Sequence, residues 1–407
     1  MKPLLPVADA LQRLLDAATP VTDTERKGLA DIEGRILAAD LKARITQPPF
    51  HSSAMDGYAL RAADAPAVGS ELTVIGTASA GHAFDGTVGA GEAVRIFTGA
   101  PVPDGADTVL IQEDAEVLET GRIRTAFNVT QGRHIRPRGQ DFVEGEIVLS
   151  AGRCLSFADL TLAAAMNHAE VAVYRKPKVA ILATGDELVV PGGELRAAQI
   201  IASNTFGVSA LARQAGADIL DLGIVGDDDT LIRAAIGKAI AAKADILVTL
   251  GGASVGDHDL VQAALKAEGM MLDFWRIAMR PGKPLMVGTI GAMQALGLPG
   301  NPVASLVCSL LFLEPLIHKL GREPHRSREI TVRTATALKA NDMRQDYVRA
   351  RFLQYEGGVP LASAFTKQDS SMMKIMAQSD CLIIRPPHAP ELPAGAECKA
   401  IRLKDIT

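Results

Sequence analysis

The sequence predicts a multidomain α/β protein whose main domain is a doubly wound parallel sheet. Three apolar runs, at 178–184, 218–225 and 245–250, each give way abruptly to glycine and acidic residues. Helical periodicity at 201–214 and 230–243 separates these runs, and strands that alternate with helices through right-handed crossovers form parallel sheets. Ligands of such sheets bind outside the carboxyl ends of the strands, so we expect the site where the runs end.

The predicted mouth of this sheet is rich in carboxylates. Each one alone has a structural interpretation, because acidic residues after a strand often cap the next helix, and Asp228 is suited to such a cap. The convergence of three strand ends favours a functional interpretation, most strongly for Asp259 and Glu187. Paired carboxylates in such a place are typical of a divalent metal site. The acidic residues concerned are Asp186, Glu187, Asp227, Asp228, Asp257 and Asp259.

A cationic segment and a proline-rich turn follow the acids. The turn at 299–302 starts a predicted helix, with Asn301 as its side-chain cap and Pro302 at its first position. A helix N-terminus offers unpaired amides and partial positive charge, which suit an oxyanion. The alternative is a stiff turn with an ordinary cap, but acids and cations at one mouth together indicate a metal-bridged anionic ligand. The cations are Arg276, Arg280 and Lys283.

Proline-rich breaks divide the chain into four predicted domains. These are a helical linking domain from residues 1–46 and 147–176, a strand-rich inserted domain at 47–146, an α/β domain at 177–324, and a small C-terminal β-barrel at 325–407. In the linking domain we expect helices at 7–17, 29–41 and 155–168. In the inserted domain we expect strands at 71–76, 93–97, 108–112 and 122–127.

Composition narrows the functional classes. The chain has 407 residues, of which 48% are hydrophobic, which is enough for several cores. A net charge of −5 and an aromatic content of 4% argue against general nucleic-acid binding. The longest apolar-rich stretch, 303–313, is shorter than the roughly 20 residues that cross a membrane. Without a charged and apolar leader the chain is expected to be cytoplasmic, and its four cysteines lack C-x-x-C spacing and are expected to be free.

Several motifs, in order along nearly the whole chain, resemble those of one family. The strand-rich region contains Ser53-Ala-Met-Asp-Gly-Tyr and Phe97-Thr-Gly-Ala-Pro. The α/β region contains Thr184-Gly-Asp-Glu-Leu, Gly251-Gly-Ala-Ser-Val-Gly-Asp-His-Asp, Pro281-Gly-Lys-Pro and Leu298-Pro-Gly-Asn-Pro-Val. Together they resemble the MoeA family, the molybdopterin molybdenumtransferases.

The resemblance implies a reaction, a cofactor and partners. The reaction is insertion of molybdate into adenylylated molybdopterin with release of AMP, and it depends on Mg²⁺. Family members form elongated homodimers with sites between subunits. A molybdopterin adenylyltransferase or molybdoenzyme maturation proteins are further implied partners, whereas nucleic acid and membrane are not expected.

The resemblance also implies roles for individual residues. Asp56, Thr98 and Asp141 would face the α/β mouth of the partner subunit. The acidic site positions match Glu187, Asp227 or Asp228, and Asp259, with Asp228 and Asp259 as the metal candidates. Substrate contacts are implied for Ser254, Lys283, Pro299, Asn301 and Pro302, and an oxyanion pocket for Arg349 with Ser370 or Ser371. Arg276 and Arg280 stand where many members have lysine, which keeps the charge but changes its geometry.

Two alternatives belong to other functional classes. The run Gly252-Ala-Ser-Val-Gly256 satisfies the G-x-S-x-G pattern, so Ser254 could be the nucleophile of a serine hydrolase. The second alternative is a non-catalytic molybdopterin-binding scaffold. The hydrolase would leave the acidic strand ends and the Pro-Gly-Asn-Pro turn unexplained, and retention of the whole acidic set favours catalysis over a scaffold.

Overall fold

The computed structural model describes residues 4–119, 121–251, 260–324, 327–356 and 358–404. The chain divides into two compact units. The smaller unit is formed by residues 25–173, and the larger unit by residues 1–24 together with 174–407. Helix α1 (Val7–Asp16) belongs to the larger unit.

The smaller unit is built mainly from short strands. Its central sheet has six strands in the order β7-β4-β6-β5-β9-β8, and β1 pairs with β12 where the chain enters and leaves the unit. The only α-helix in the described part of this unit is α2 (Phe157–Ala165). The strands are β1 (Thr24–Gly28), β2 (Leu41–Lys42), β3 (Ser52–Ser53), β4 (Gly57–Leu60), β5 (Glu71–Ala78), β6 (Glu92–Ile96), β7 (Thr108–Ile111), β8 (Ala115–Leu118), β9 (Arg122–Thr125), β10 (Ile135–Arg136), β11 (Ile147–Leu149) and β12 (Glu170–Tyr174).

The four strands predicted in the inserted region are present as β5, β6, β7 and β9. The helix predicted at 29–41 is wrong. A single 3-10 turn at Leu29–Asp31 is followed by Gly34 with a φ of 73°. Ile36 and Leu37 then form β-bridges with Cys154 and Val173. The apolar spacing therefore reflects pairing with distant backbone, which overrides the local helical pattern.

The larger unit contains the predicted doubly wound sheet. Its six strands have the order β16-β13-β17-β21-β20-β18, in which the first four are parallel and β20 is antiparallel to both of its neighbours, β21 and β18. The elements are β13 (Lys178–Thr184), β14 (Leu188–Val189), β15 (Ile200–Ile201), α3 (Asn204–Gln214), β16 (Asp218–Val225), α4 (Asp229–Ala241), β17 (Ile246–Leu250), α5 (Leu260–Ala267), β18 (Met271–Trp275), β19 (Met279–Arg280), β20 (Met286–Ile290), β21 (Met293–Leu298), α6 (Pro302–Cys308) and α7 (Glu314–Leu320).

Helices cover both faces of this sheet. On one face α1, α3 and α6 bury side chains such as Leu14, Val208 and Val303 against the strands. On the other face α4 and α5 contribute Ile232 and Val261. Strands buried on both faces explain the nearly continuous apolar runs from which the sheet was predicted.

A long apolar helix runs from residue 302 to residue 320, because a π-helical turn at Ser309–Leu313 joins α6 to α7. Within the described residues this is the one helix that is long enough and apolar enough to cross a membrane. The apolar stretch expected from the sequence was shorter and ended at residue 313. It is 72% buried inside the protein, so its composition is that of a core helix. Near its C-terminal end the buried Glu314 accepts hydrogen bonds of 3.0 and 2.9 Å from Arg328.

The predicted small β-barrel is confirmed at the C-terminal end. Five strands close in the order β23-β24-β22-β26-β25, with β25 returning to β23. Strand β19 adds to the barrel by pairing in parallel with β23. The barrel elements are β22 (Glu329–Thr334), β23 (Gln345–Glu356), β24 (Val359–Ala364), α8 (Met373–Gln378), β25 (Cys381–Arg385) and β26 (Glu397–Arg402).

One ion pair ties the amino ends of β13 and β17 to the incoming chain. Arg175 donates two hydrogen bonds to the Asp245 carboxylate, at 2.7 and 2.9 Å, and the Lys178 amide donates a third at 2.7 Å. Asp245 raises the pKa of Arg175. Arg175 also bonds Asp23, whose side chain is 72% exposed.

We predict that Asp245→Ala lowers the free energy of unfolding of the larger unit by about 2 kcal/mol, because charge-assisted hydrogen bonds at a poorly exposed carboxylate are lost. Asp23→Ala is the matched control on the same arginine and should cost less than about 1 kcal/mol, since that carboxylate is solvated. Urea unfolding followed by fluorescence of Trp275, the single tryptophan, reports on the sheet that contains Asp245. Equal effects of the two variants would contradict the prediction.

Candidate active site

A cleft of about 810 Å³ opens at the carboxyl ends of the parallel strands. It lies where the sequence predicted a site, because the chain leaves β13, β16, β17 and β21 on this side of the sheet. The residues that line it are Ala183, Thr184, Gly185, Glu187, Leu188, Ile200, Ile201, Ala202, Ser203, Asn204, Thr205, Asp227, Leu250, Gly251, Leu260, Val261, Pro284, Pro299, Gly300, Asn301, Pro302 and Ser371.

Two glycines shape the floor of the cleft. Gly251 has a φ of 98°, and a Cβ there would lie 2.8 Å from the carbonyl oxygen of Thr184. Gly185 has a φ of 146°, and a Cβ there would lie 2.4 Å from Oε2 of Glu187. The positive φ disfavours a side chain at both positions, and at Gly251 the contact with a backbone atom also excludes one. Glycine therefore lets two strand ends meet and lets the Glu187 carboxylate fold over one of them.

Two helices begin at the cleft. α3 starts at Asn204 and α6 at Pro302, and the Asn204 side-chain amide donates to the carbonyl of Gly300 at 2.8 Å. This hydrogen bond joins the start of α3 to the loop before α6. The partial positive charge of both helix N-termini is directed toward the cleft, which favours an anionic ligand there.

Asn301 occupies the predicted cap position of α6, but its side chain does not cap the helix. The amide donates instead to the Ser370 hydroxyl at 2.9 Å. The backbone amide of Val303, in the first turn of α6, donates to the carbonyl of Ser370 at 3.1 Å. The loop that follows β24 of the barrel thus takes over part of the capping of α6. Pro302 is at the first helical position, as predicted.

The acidic residues of the mouth divide into two groups. Glu187 and Asp227 are exposed and line the cleft. Asp186 accepts a hydrogen bond from the Asp227 amide at 3.0 Å and so holds that loop in place. Asp228 is the N-cap of α4 and accepts from the Leu231 amide at 2.9 Å.

Asp228, predicted to be a catalytic and metal-binding residue, is the N-cap of α4 in the structure, and its catalytic role stays a prediction. One carboxylate oxygen is engaged at the start of α4, and Asp228 does not line the cleft. The neighbouring Asp227 does. Asp228 caps α4 because an aspartate directly before a helix finds free amides within its own turn.

Asp257, Asp259 and the candidate serine Ser254 lie outside the described residues. Among the residues that are described, no group of three or more His, Cys, Asp or Glu side chains could hold a metal ion. Glu187 and Asp227 nevertheless offer hard oxygen donors. Their chemistry fits Mg²⁺, which proteins commonly bind through one or two carboxylates plus water and substrate phosphate.

The three predicted cations have different surroundings. Arg280 pairs with Asp346 and with Asp342, the latter at 3.2 Å, so its charge is already engaged by the barrel. Burial raises the pKa of Asp346. Arg276 has a φ of 114° and its guanidinium stacks on Trp275 at 4.6 Å. Lys283 is exposed, and the cleft-lining residues include none of these cations.

Arg349, which was predicted to help form an oxyanion pocket, is 1% exposed and lies on strand β23 of the barrel. It donates from Nε to the Gln368 side chain at 3.1 Å and from Nη1 to the Asp369 carbonyl at 2.7 Å. Gln368 in turn donates to the carbonyls of Arg349 and Phe365. Burial lowers the pKa of Arg349. Arg349 thus anchors the loop that carries Ser370 and Ser371.

In the smaller unit the structure brings Asp56 and Thr98 together. The Thr98 amide and hydroxyl both donate to one oxygen of Asp56 at 2.7 Å. These contacts, the amide first, lower the pKa of Asp56. Asp141 is exposed on a loop whose backbone pairs with Gln47. Asp56 is therefore ionised at neutral pH and has one oxygen oriented by Thr98.

Sequence reasoning missed several residues that shape the site. Thr184 and Asn204 line the cleft, while Gln368 and Asp369 hold the barrel loop. Signals for two of them exist in the sequence. Asn204 follows serine at the start of an apolar helix, a typical N-terminal pattern, and Asp369-Ser-Ser is typical of a turn in which the aspartate bonds the backbone two residues later.

Comparison with known proteins agrees with this architecture. Residues 5–167 match the model of the MoeA N-terminal region (domain I and II), residues 180–319 match a probable molybdopterin binding domain, and residues 331–403 match the MoeA C-terminal region (domain IV). The molybdopterin molybdenumtransferase of Haemophilus influenzae is 35% identical over 94% of each chain. That of Nostoc sp. is 35% identical over 94% of this chain and 89% of its own.

Solved structures agree as well. A molybdopterin biosynthesis MoeA protein from Pyrococcus horikoshii superposes with a TM-score of 0.83 at 30% identity, covering 99% of this chain and 100% of that one. A second structure from Pyrococcus horikoshii gives a TM-score of 0.79 at 26% identity. The fold, the cleft and these matches define a multidomain transferase of molybdenum cofactor biosynthesis. The chain belongs to the MoeA family of molybdopterin molybdenumtransferases.

We predict that Arg349→Met lowers the free energy of unfolding by about 1–3 kcal/mol, because it leaves the Gln368 and Asp369 oxygens without their buried donor. Arg351→Met, at an exposed position on the same strand, is the matched control and should change stability by less than about 0.5 kcal/mol. Thermal unfolding measures both. If Arg349→Met keeps wild-type stability and loses only molybdate binding, Arg349 is an anion ligand and the assignment as an anchor is wrong.

Proposed function

We propose that this chain inserts molybdate into adenylylated molybdopterin and releases AMP. The acid-lined cleft supports the proposal, because Glu187 and Asp227 lie on the same cleft as the N-termini of α3 and α6. A ligand that joins a phosphate group to a metal ion needs both kinds of surface. Neither the serine hydrolase nor the scaffold alternative has support from the family matches.

The residues of the cleft have distinct proposed roles. Asp227 and Asp259 would hold Mg²⁺, with Glu187 beside them. When bound, Mg²⁺ neutralises phosphate oxygens and makes AMP a better leaving group. The amides at the start of α3 would hold the phosphate. Ser370 accepts a hydrogen bond from Asn301, so its own hydroxyl hydrogen is left to donate to molybdate, and the exposed Lys283 supplies positive charge.

The reaction is tested by mixing purified protein with adenylylated molybdopterin, Mg²⁺ and molybdate, and measuring AMP by chromatography. AMP should appear only when molybdate is present. Asp227→Asn should lower AMP release at limiting Mg²⁺ by about tenfold or more, because one hard anionic ligand is lost.

Asp228→Asn is the matched control one residue away. Asparagine caps a helix about as well as aspartate, so this variant should keep both stability and AMP release. Loss of activity in Asp228→Asn together with wild-type turnover in Asp227→Asn would reverse the assignment. Absence of molybdate-dependent AMP from the wild-type protein would refute the proposed reaction itself.

We also propose that the protein acts as a homodimer with two shared sites, in which Asp56 and Thr98 of one subunit serve the cleft of the other. The oriented carboxylate of Asp56 supports this role, as do its distance in sequence from Asp227 and the resemblance to a dimeric family. Asp141 would belong to the same surface. We further propose that the protein is cytoplasmic. It would receive its substrate from a molybdopterin adenylyltransferase and pass its product to maturation proteins of molybdoenzymes.

Mixing two impaired variants, at limiting Mg²⁺, tests the shared site. Asp56→Asn and Asp227→Asn, when their subunits exchange, should form heterodimers in which one site carries both lesions and the other carries none. Each heterodimer should regain up to about half of wild-type activity by this symmetry. The control is Asp227→Asn mixed with itself, which should keep only its own residual activity. Subunit exchange shown by mass spectrometry without return of activity would contradict a site built from two subunits.

A further inference from the structure

The hydroxyl hydrogen of Ser371, on the rim of the cleft, is already engaged in a hydrogen bond within the protein. Its Oγ lies 2.6 Å from Oδ1 of Asp369, and its backbone amide lies 2.8 Å from the same oxygen. An ionised carboxylate only accepts hydrogen bonds, so the hydroxyl must be the donor. The Ser371 hydroxyl and then its amide lower the pKa of Asp369, which keeps the carboxylate ionised at neutral pH. Ser371 therefore presents lone pairs to the cleft.

The position of Asp369 is set by buried groups. Its carbonyl accepts from Nη1 of Arg349 at 2.7 Å, and Arg349 is 1% exposed. The preceding residue, Gln368, accepts from both the amide and Nε of Arg349 at 3.0 and 3.1 Å. The backbone on which the Asp369 carboxylate stands is thus anchored in the barrel, although the carboxylate itself is exposed.

The hydroxyl of the adjacent Ser370 has the opposite hydrogen-bonding role. Its Oγ accepts a hydrogen bond from the Asn301 amide at 2.9 Å, so its hydrogen is left for another acceptor. Two consecutive hydroxyls of the same chemical type therefore differ in what they can recognise. One can donate to an oxyanion, and the other can only accept from a hydrogen-bond donor.

We propose that Ser371 accepts a hydrogen bond from an N–H or O–H group of the organic substrate, and that Asp369 is the positioning residue that imposes this polarity. Molybdate at neutral pH is a dianion and has no hydrogen to donate. The negative charge of Asp369 beside the Ser371 hydroxyl also disfavours an anion at this point. The assignment rests on the proposed function, because adenylylated molybdopterin carries such donors on its ribose, adenine and pterin groups.

Binding of each substrate by the full chain tests the proposal. Calorimetry would measure adenylylated molybdopterin, AMP and molybdate separately, for the wild type and for Ser371→Ala, Asp369→Ala and Asp369→Asn. Ser371→Ala and Asp369→Ala should weaken the binding of adenylylated molybdopterin about five- to tenfold, which corresponds to the loss of one hydrogen bond. Molybdate binding should change less than about twofold in both variants. Asp369→Asn should restore binding, because its amide oxygen can accept the same two hydrogen bonds.

The outcomes separate the alternatives. Weaker binding of AMP as well as of the full substrate supports the proposal and assigns the donor to the nucleotide, whereas weaker binding of the full substrate alone supports it and assigns the donor to the pterin. Weaker molybdate binding by Ser371→Ala, or wild-type binding of both substrates, overturns it. Failure of Asp369→Asn to restore binding while its thermal midpoint is unchanged overturns the positioning role. Because these are binding measurements, they remain readable even if the wild type releases no AMP.

Discussion

The cleft depends on one close approach between two strand ends. The ends of β13 and β17 can meet only because residue 251 has no Cβ, which would otherwise lie 2.8 Å from the Thr184 carbonyl. With a side chain there, the two strands would have to separate or end earlier. The loop that carries Glu187 begins at the end of β13, so this close approach lies directly beside one of the carboxylates that line the cleft.

The barrel forms part of the same site. Ser370 accepts from Asn301 and also from the first turn of α6, while Ser371 lines the cleft. Arg349 and Gln368 hold the loop behind them. In chemical terms the sheet supplies acids, the helices supply amides, and the barrel supplies hydroxyls whose donor and acceptor roles are already assigned before any ligand binds. Such preorganisation reduces the ordering that binding would otherwise require.

Much of the architecture could be predicted from sequence, because apolar runs buried on two faces of a sheet leave a strong pattern. The place of the cleft also followed, since the ends of parallel strands meet at one edge. The features that the sequence did not reveal share a cause. Asp228 caps α4 and Arg349 anchors a buried loop, and such contacts are decided by the backbone groups within reach, which a linear pattern does not show. The helix expected at 29–41 failed for the same reason, because its partners, Cys154 and Val173, are far away in sequence.

The two ends of the helix from 302 to 320 depend on chemically different contacts. Its first turn is completed by the barrel loop at Ser370, and its last turns carry Glu314, which is 6% exposed and balanced by Arg328 from the segment that enters the barrel. A protein cut at 324 would keep the whole sheet but would lose the acceptor at one end of this helix and the Arg328 counter-charge at the other. The buried Glu314 carboxylate would then keep only His318, 3.8 Å away, as a charged partner, which would be destabilising. In truncated or chimeric enzymes of this family, the α/β region and the barrel should therefore be kept together as one unit, even though their sequences match separate family models.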